Sequence, residues 1–91
     1  MAAPRVEIRY CTQCRFMLRA AYMAQELLIT FEKELGEVAL VPGAGGIFEI
    51  ALDGEVLATN RETKRSPEVA EVKRLLRDRI APERPIGHDS H

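Results

Sequence analysis

Between Tyr10 and Thr12 the hydrophobic repeat of the chain changes, and no other feature of the sequence constrains its fold as strongly. Upstream, in "RVEIRY" (Arg5 to Tyr10), Val6, Ile8 and Tyr10 alternate with Glu7 and Arg9. A period of two in β-branched and aromatic residues reads as a strand, and the polar alternates imply that one face of its sheet is less fully covered than the other. Downstream, Met17, Ala21, Ala24, Leu28, Phe31 and Leu35 recur at spacings of 4, 3, 4, 3 and 4. They draw one apolar stripe along a helix that begins near Thr12, and Ala20 and Leu27 widen it into a face. Arg19, Glu26, Glu32 and Lys33 fall mostly off that face and are expected in solvent, and Gly36 is the expected helix stop.

The rest of the chain supplies partners for this strand and helix. "EVALV" (Glu37 to Val41) is short and mostly apolar, as expected of a strand covered by helices. "PGAGG" (Pro42 to Gly46) interrupts it. In "IFEIALDGEVLATN" two strands flank Asp53-Gly54, a hairpin signal because both central residues adopt positive φ readily. "RETKR" (Arg61 to Arg65) reads as a charged connection. Ser66 then offers an N-cap, Pro67 suits the first helical position, and Glu68 suits the positive end of a second helix. Val69, Val72, Leu76 and Ile80 form that helix's apolar face.

The resulting order is β-α-β-β-β-α: an α/β domain over residues 1–80, with a mixed four-stranded sheet packed by two helices and a right-handed crossover between its parallel strands. The tail from Ala81 to His91, with two prolines, a glycine and little to bury, is expected to be loosely ordered.

Both cysteines of the chain, Cys11 and Cys14, sit at the junction of first strand and first helix. The 91 residues carry a net charge of −1, so no basic field recruits nucleic acid or anionic lipid. The apolar runs are far too short to span a membrane, and "MAAPRVEIRY" lacks the apolar core of a secretory signal. The expected compartment is therefore a reducing cytoplasm, where a cysteine pair is more often catalytic or metal-binding than structural.

The placement favours redox chemistry. Helix-start amides and the positive dipole end stabilise thiolate, the reactive form, and Arg9 and Arg15 flank the pair with two further cations. A closed structural zinc site takes four ligands, of which Cys11 and Cys14 supply two, leaving only His88 and His91 in the tail. "GAGG" lacks the Lys-Ser/Thr ending of a phosphate loop and precedes a strand, so it reads as a tight loop whose backbone approaches something closely. The dithiol is the expected neighbour of Pro42–Gly46. Lys64, Arg65, Arg74, Arg77 and Arg79 read as a solvated face, and no metal or cofactor site is assigned.

In order, the strand ending in "IRYCTQC", the long helix, "VPGAGGIFEI", the Asp-Gly hairpin and the ending "RDRIAPERPIGH" resemble the selenoprotein W-like proteins of the SelT/SelW/SelH (Rdx) family, in a bacterial, cysteine-containing form. The resemblance covers Val6 to about His88. It implies a thioredoxin-like fold, a role in cell redox homeostasis, and a cytoplasmic thiol-disulfide protein acting with glutathione or protein thiols, with Cys11 and Cys14 as the catalytic pair. The alternative is a redox-gated interaction module that does not turn over. The spacer Thr12-Gln13 differs from thioredoxin's Gly-Pro, and no proline directly precedes the Ile47 strand. Two arguments divide the roles of the sulfurs. Solvent access from a strand end names Cys11 as nucleophile and Cys14 as resolver. In selenocysteine-containing relatives that residue takes the second motif position, which points instead to Cys14.

Overall fold

The computed structural model describes residues 3–85. Strands β1 (Arg5–Cys11), β2 (Glu37–Gly43), β3 (Phe48–Leu52) and β4 (Glu55–Thr59) form one sheet in the order β2-β1-β3-β4. Helices α1 (Met17–Thr30) and α3 (Val69–Ile80) pack against it, and the four-residue α2 (Asn60–Thr63) follows β4. β1 is central: it runs parallel to β2, with Cys11 opposite Gly43, and antiparallel to β3, with Tyr10 opposite Phe48.

The alternation in β1 sets this arrangement. Val6, Ile8 and Tyr10 are buried and stand beside Leu52, Ile50 and Phe48 of β3, all buried as well. Ala20, Met23, Leu27 and Phe31 from the first helical segment, with Val72 and Leu76 of α3, close over that face. Each large apolar side chain so enclosed is worth roughly 1.5–3 kcal/mol relative to exposure. The alternate positions Glu7, Arg9 and Glu49 lie on the less covered face, as the polar alternates imply.

Several elements depart from their sequence readings. "EVALV" is not enclosed by helices: β2 is an edge strand, none of whose residues is fully buried. The apolar stripe of α1 is rotated from the expected one, so Met23, Ala24 and Leu27 face the core while Met17 and Leu28 are exposed. Ala spacings fit either stripe, and the position of the sheet decides between them. The helix also ends at Thr30, not Leu35. Phe31 leaves helical geometry at φ −114°, ψ 38°, and a following turn buries both Phe31 and Leu35 before Gly36 donates its N–H to the Pro4 carbonyl at 2.8 Å.

"RETKR" is not simply a connection, because its start lies in α2 and Lys64 closes that turn at φ 59°. Ser66 does not cap α3. Glu68 does, through a reciprocal capping box with Glu71, so the helix starts two residues later than read. Glu26, expected in solvent, is largely enclosed and lies 3.0 Å from the buried Lys73 ammonium, which ties α1 to α3. In the tail, Arg84 pairs with Glu34 at 2.8 Å and lies over the Phe31 ring. His88 and His91 are outside the described residues.

Candidate functional site

Cys11 ends β1, and Cys14 lies in the turn Thr12–Arg15 that leads toward α1. Cys14 was expected within the first helical turn, but α1 starts only at Met17. Arg15 breaks the helix with φ 60°, and the amides of Gln13 and Cys14 are turned onto the Cys11 sulfur instead of into a helical ladder. The chain therefore stabilises a thiolate by local amides more than by the dipole of a helix already begun.

The two sulfurs are 2.7 Å apart as free thiols, against about 2.05 Å in a formed disulfide. Their surroundings differ. Cys11 is buried, 2% exposed, whereas Cys14 is exposed. The expectation that Cys11 faces solvent from the strand end is thus overturned: the central strand continues its burial to its last residue. The Cys14 thiol donates to the Cys11 sulfur and holds the Cys11 pKa below the ordinary thiol value; desolvation opposes this, and amides of Gly46, Gln13 and Cys14 reinforce it. Cys14 is pushed up, first by that shared hydrogen bond, then by desolvation and the Cys11 charge. Neither Arg9 nor Arg15 is among the groups that shift either sulfur, so flanking in sequence is not contact.

The loop Pro42–Gly46 does pack beside the dithiol. Thr12 donates its N–H to the Gly43 carbonyl at 3.3 Å, Cys11 donates to Ile47 at 2.9 Å, and the Gly46 N–H faces both sulfurs. Gly45 and Gly46 adopt φ 72° and 78°, a conformation that favours glycine. Among the described residues, no three His, Cys, Asp or Glu side chains converge to hold a metal ion.

The Rdx family model matches residues 5–78. The chain belongs to the Rdx family. A crystal structure of a Bordetella parapertussis protein is 53% identical to it, with a TM-score of 0.80 over 84% of this chain and 96% of that one. A crystal structure of a selenoprotein W-related protein from Vibrio cholerae is 42% identical, with a TM-score of 0.79 over 84% of this chain and 95% of that one. No curated protein matches the chain. The fold is thioredoxin-like, and kinship with a selenoprotein W-related protein, together with two adjacent thiols, points to a redox-related function.

One residue of the Rdx site carries little signal in the sequence. Asn60 accepts the Phe48 N–H at 3.0 Å and donates to the Gly46 carbonyl at 2.7 Å, pinning the loop whose amide faces the sulfurs. Thr59 fixes its position by capping α2, its hydroxyl accepting the Arg61 N–H at 3.1 Å. The only signal was a Thr-Asn pair at the end of a strand. Its partners lie 12 and 14 residues away, beyond the reach of local pattern.

Proposed function

We propose that this Rdx protein is a cytoplasmic thiol-disulfide redox protein that cycles Cys11 and Cys14 between dithiol and disulfide, exchanging with glutathione or protein thiols. One observation carries the reading: an exposed thiol 2.7 Å from a buried sulfur on which three backbone amides converge. Access assigns the first attack to Cys14. The Cys11 thiolate takes the Cys14 proton, and the Cys14 thiolate attacks an external disulfide RSSR, forming Cys14–S–S–R and releasing one thiolate. Cys11 then loses its proton, attacks the Cys14 sulfur and releases the second thiolate. Two electrons pass to RSSR, the first released thiolate takes the proton that Cys11 gives up, the second takes one from solvent, and a Cys11–Cys14 disulfide remains.

Titration against glutathione buffers spanning roughly −270 to −120 mV tests the cycle. A pair that stays reduced throughout would remove it. Alkylation against pH tests the roles. Because the two groups share a proton, the pair titrates in two steps, the first below the ordinary thiol value and the second above it. The wild-type protein is expected to react rapidly already below that value. Cys11→Ser keeps an accessible thiol but moves the profile up toward the ordinary range. Cys14→Ser keeps an easily ionised thiol that reacts slowly. Mixed disulfides forming faster on Cys14→Ser than on Cys11→Ser would reverse the assignment.

A second reading uses the same dithiol as a gate for a docked protein, without turnover. The apolar outer face of α1, where Leu18, Tyr22 and Ile29 are exposed, favours it. Capture of one or two proteins by a Cys11→Ser trap, which keeps the accessible Cys14 thiol and lacks the resolver, with no turnover of small disulfides, distinguishes it from the first.

A further inference from the structure

Helix α1 carries a second stripe on the side away from the sheet. Leu18, Tyr22, Gln25 and Ile29 recur at spacings of 4, 3 and 4, and all four are exposed. At about 100° per residue they fall within about 60° of arc, opposite the buried Leu27. Met17 and Leu28, exposed as well, border the stripe on one side. Leu18 is 82% exposed and Ile29 61%. Single apolar side chains in solvent are ordinary, whereas a contiguous row of them marks a surface that something covers.

The charges of this helix are elsewhere. In a chain that is 30% charged, Arg19 and Glu26 are the only ionic side chains between Met17 and Thr30. Both turn to the rest of the fold. Arg19 donates to the Ser66 hydroxyl at 2.8 Å and lies over the Phe16 ring, and Glu26 holds the Lys73 ammonium at 3.0 Å. By contrast α3, packed on the same side of the sheet, presents Glu71, Arg74, Asp78 and Arg79 to solvent. A helix that lies on a lipid surface is rich in Lys and Arg beside its apolar side. α1 has no lysine and its one arginine is engaged, so its outer face suits another apolar helix better than a membrane.

We infer that a second copy of this chain covers that face, the two α1 helices packing antiparallel about a two-fold axis level with the Met23–Ala24 peptide. A spacing of 4-3-4 is the seam of a helix pair, and in this register the face is complementary to itself. Leu18 stands opposite Ile29 of the second copy, and Tyr22 opposite its Gln25, each contact occurring twice. The Tyr22 hydroxyl donates to the Gln25 carbonyl, which answers the one amide of the seam. At the rims Arg15, exposed before the helix, meets Glu32, exposed after it. The helix dipoles run in opposite directions, and the two Cys14 thiols lie at opposite ends of the pair.

The face is about 21 Å long, the length of a 14-residue helix. Such a pair buries less than the roughly 1,200 Å² at which standard interfaces begin, so the dimer is a weak one that forms with concentration. It assigns one occupant to the face that otherwise favours a docked protein. It needs neither sulfur and stands apart from the dithiol cycle.

Sedimentation equilibrium of the wild-type protein in reductant, from about 5 to 500 μM, is expected to show the mass rising from one chain toward two. The Cys11→Ser/Cys14→Ser protein should follow the same curve, so a failure of the dithiol cycle leaves this result untouched and the reverse holds too. Leu18→Lys and Ile29→Glu each set a charge against an apolar side chain of the second copy, and each should weaken association at least about tenfold. Mixed one to one, the two variants should associate again. The antiparallel register sets the new ammonium against the new carboxylate on one side and leaves Ile29 against Leu18 on the other. Neither position is in the core, so at dilutions where the protein is monomeric both variants should keep the wild-type urea midpoint.

A wild-type protein that stays monomeric throughout overturns the inference, and one that binds phosphatidylglycerol vesicles instead gives the face to lipid. A dimer that survives both Leu18→Lys and Ile29→Glu is built on another surface, which overturns it as well. Variants that remain apart when mixed rule out the antiparallel register on which it stands.

Discussion

The two ends of β1 are built from similar parts for different ends. At the Arg5 end, the Asp53-Gly54 turn sits at φ 48° and 91°; Asp53 donates its N–H to the Arg5 carbonyl at 2.8 Å and accepts the Arg5 N–H on its side chain at 2.9 Å. That turn satisfies its own end of the strand. At the Cys11 end, Gly45 and Gly46 adopt similar positive φ, but an outside residue, Asn60, holds the loop, and the Gly46 N–H is aimed at sulfur. A turn supported by its own residues stabilises the sheet. One supported from elsewhere is free to aim a backbone donor at a reacting atom.

Removing the outside support is the largest perturbation of this contrast. Asn60→Ala leaves the Phe48 N–H and the Gly46 carbonyl without their partners, and should cost about 2–3 kcal/mol in urea denaturation. The first ionisation of the dithiol should rise toward the ordinary thiol range, read as alkylation rate against pH. Asn60→Asp, which keeps the acceptor for Phe48 and loses the donor to Gly46, should fall between. Lost stability with an unmoved pH profile would mean that Asn60 does not position Gly46.

A smaller, matched pair sharpens the comparison. A Cβ at Gly46 or at Gly54 meets nothing within 4 Å, so alanine at either position is penalised for its positive φ and not for a clash. Each substitution should cost about 1–2 kcal/mol. Only Gly46→Ala should also raise the pH at which the dithiol reacts, because only there does the loop carry an amide facing sulfur. Equal pH profiles for the two variants would end the distinction between the two turns.

What was legible in the sequence follows the same division. The alternation of Val6, Ile8 and Tyr10, the Asp53-Gly54 hairpin and the C-x-x-C at the strand end are short-range signals, and all three appear in the fold. The parallel pairing of β1 with β2 follows from the helix between them. The Asn60 clasp and the Lys73–Glu26 pair join residues 12 to 47 positions apart, and nothing in their neighbourhoods announces them. The burial of the Cys11 sulfur is hidden from the sequence for a related reason. Strand-end position suggested that Cys11 is open, whereas burial depends on the Pro42–Gly46 loop and on Ile47, which arrive from elsewhere in the chain. Likewise the helix starts later than the periodicity implies, because no pattern marks a left-handed Arg15.

Arg15 gives the last and smallest test, and it separates backbone from charge at the thiol end. An L-residue at φ 60° costs about 1–2 kcal/mol, and glycine there gives back roughly 0.5–1 kcal/mol of that in unfolded-chain entropy. Arg15→Gly should therefore stabilise the fold by about 0.5 kcal/mol while deleting a cation next to Cys14 in sequence. If amides and the shared thiol hydrogen bond set the ionisation of the pair, the alkylation profile stays where it was. If the flanking arginine matters, the profile moves toward higher pH as the cation is lost. Arg15→Ala serves as the control, since it removes the charge and retains an L-residue at the same φ. A shift shared by both variants would restore charge as a cause, and a shift in Arg15→Gly alone would trace to a loosened turn.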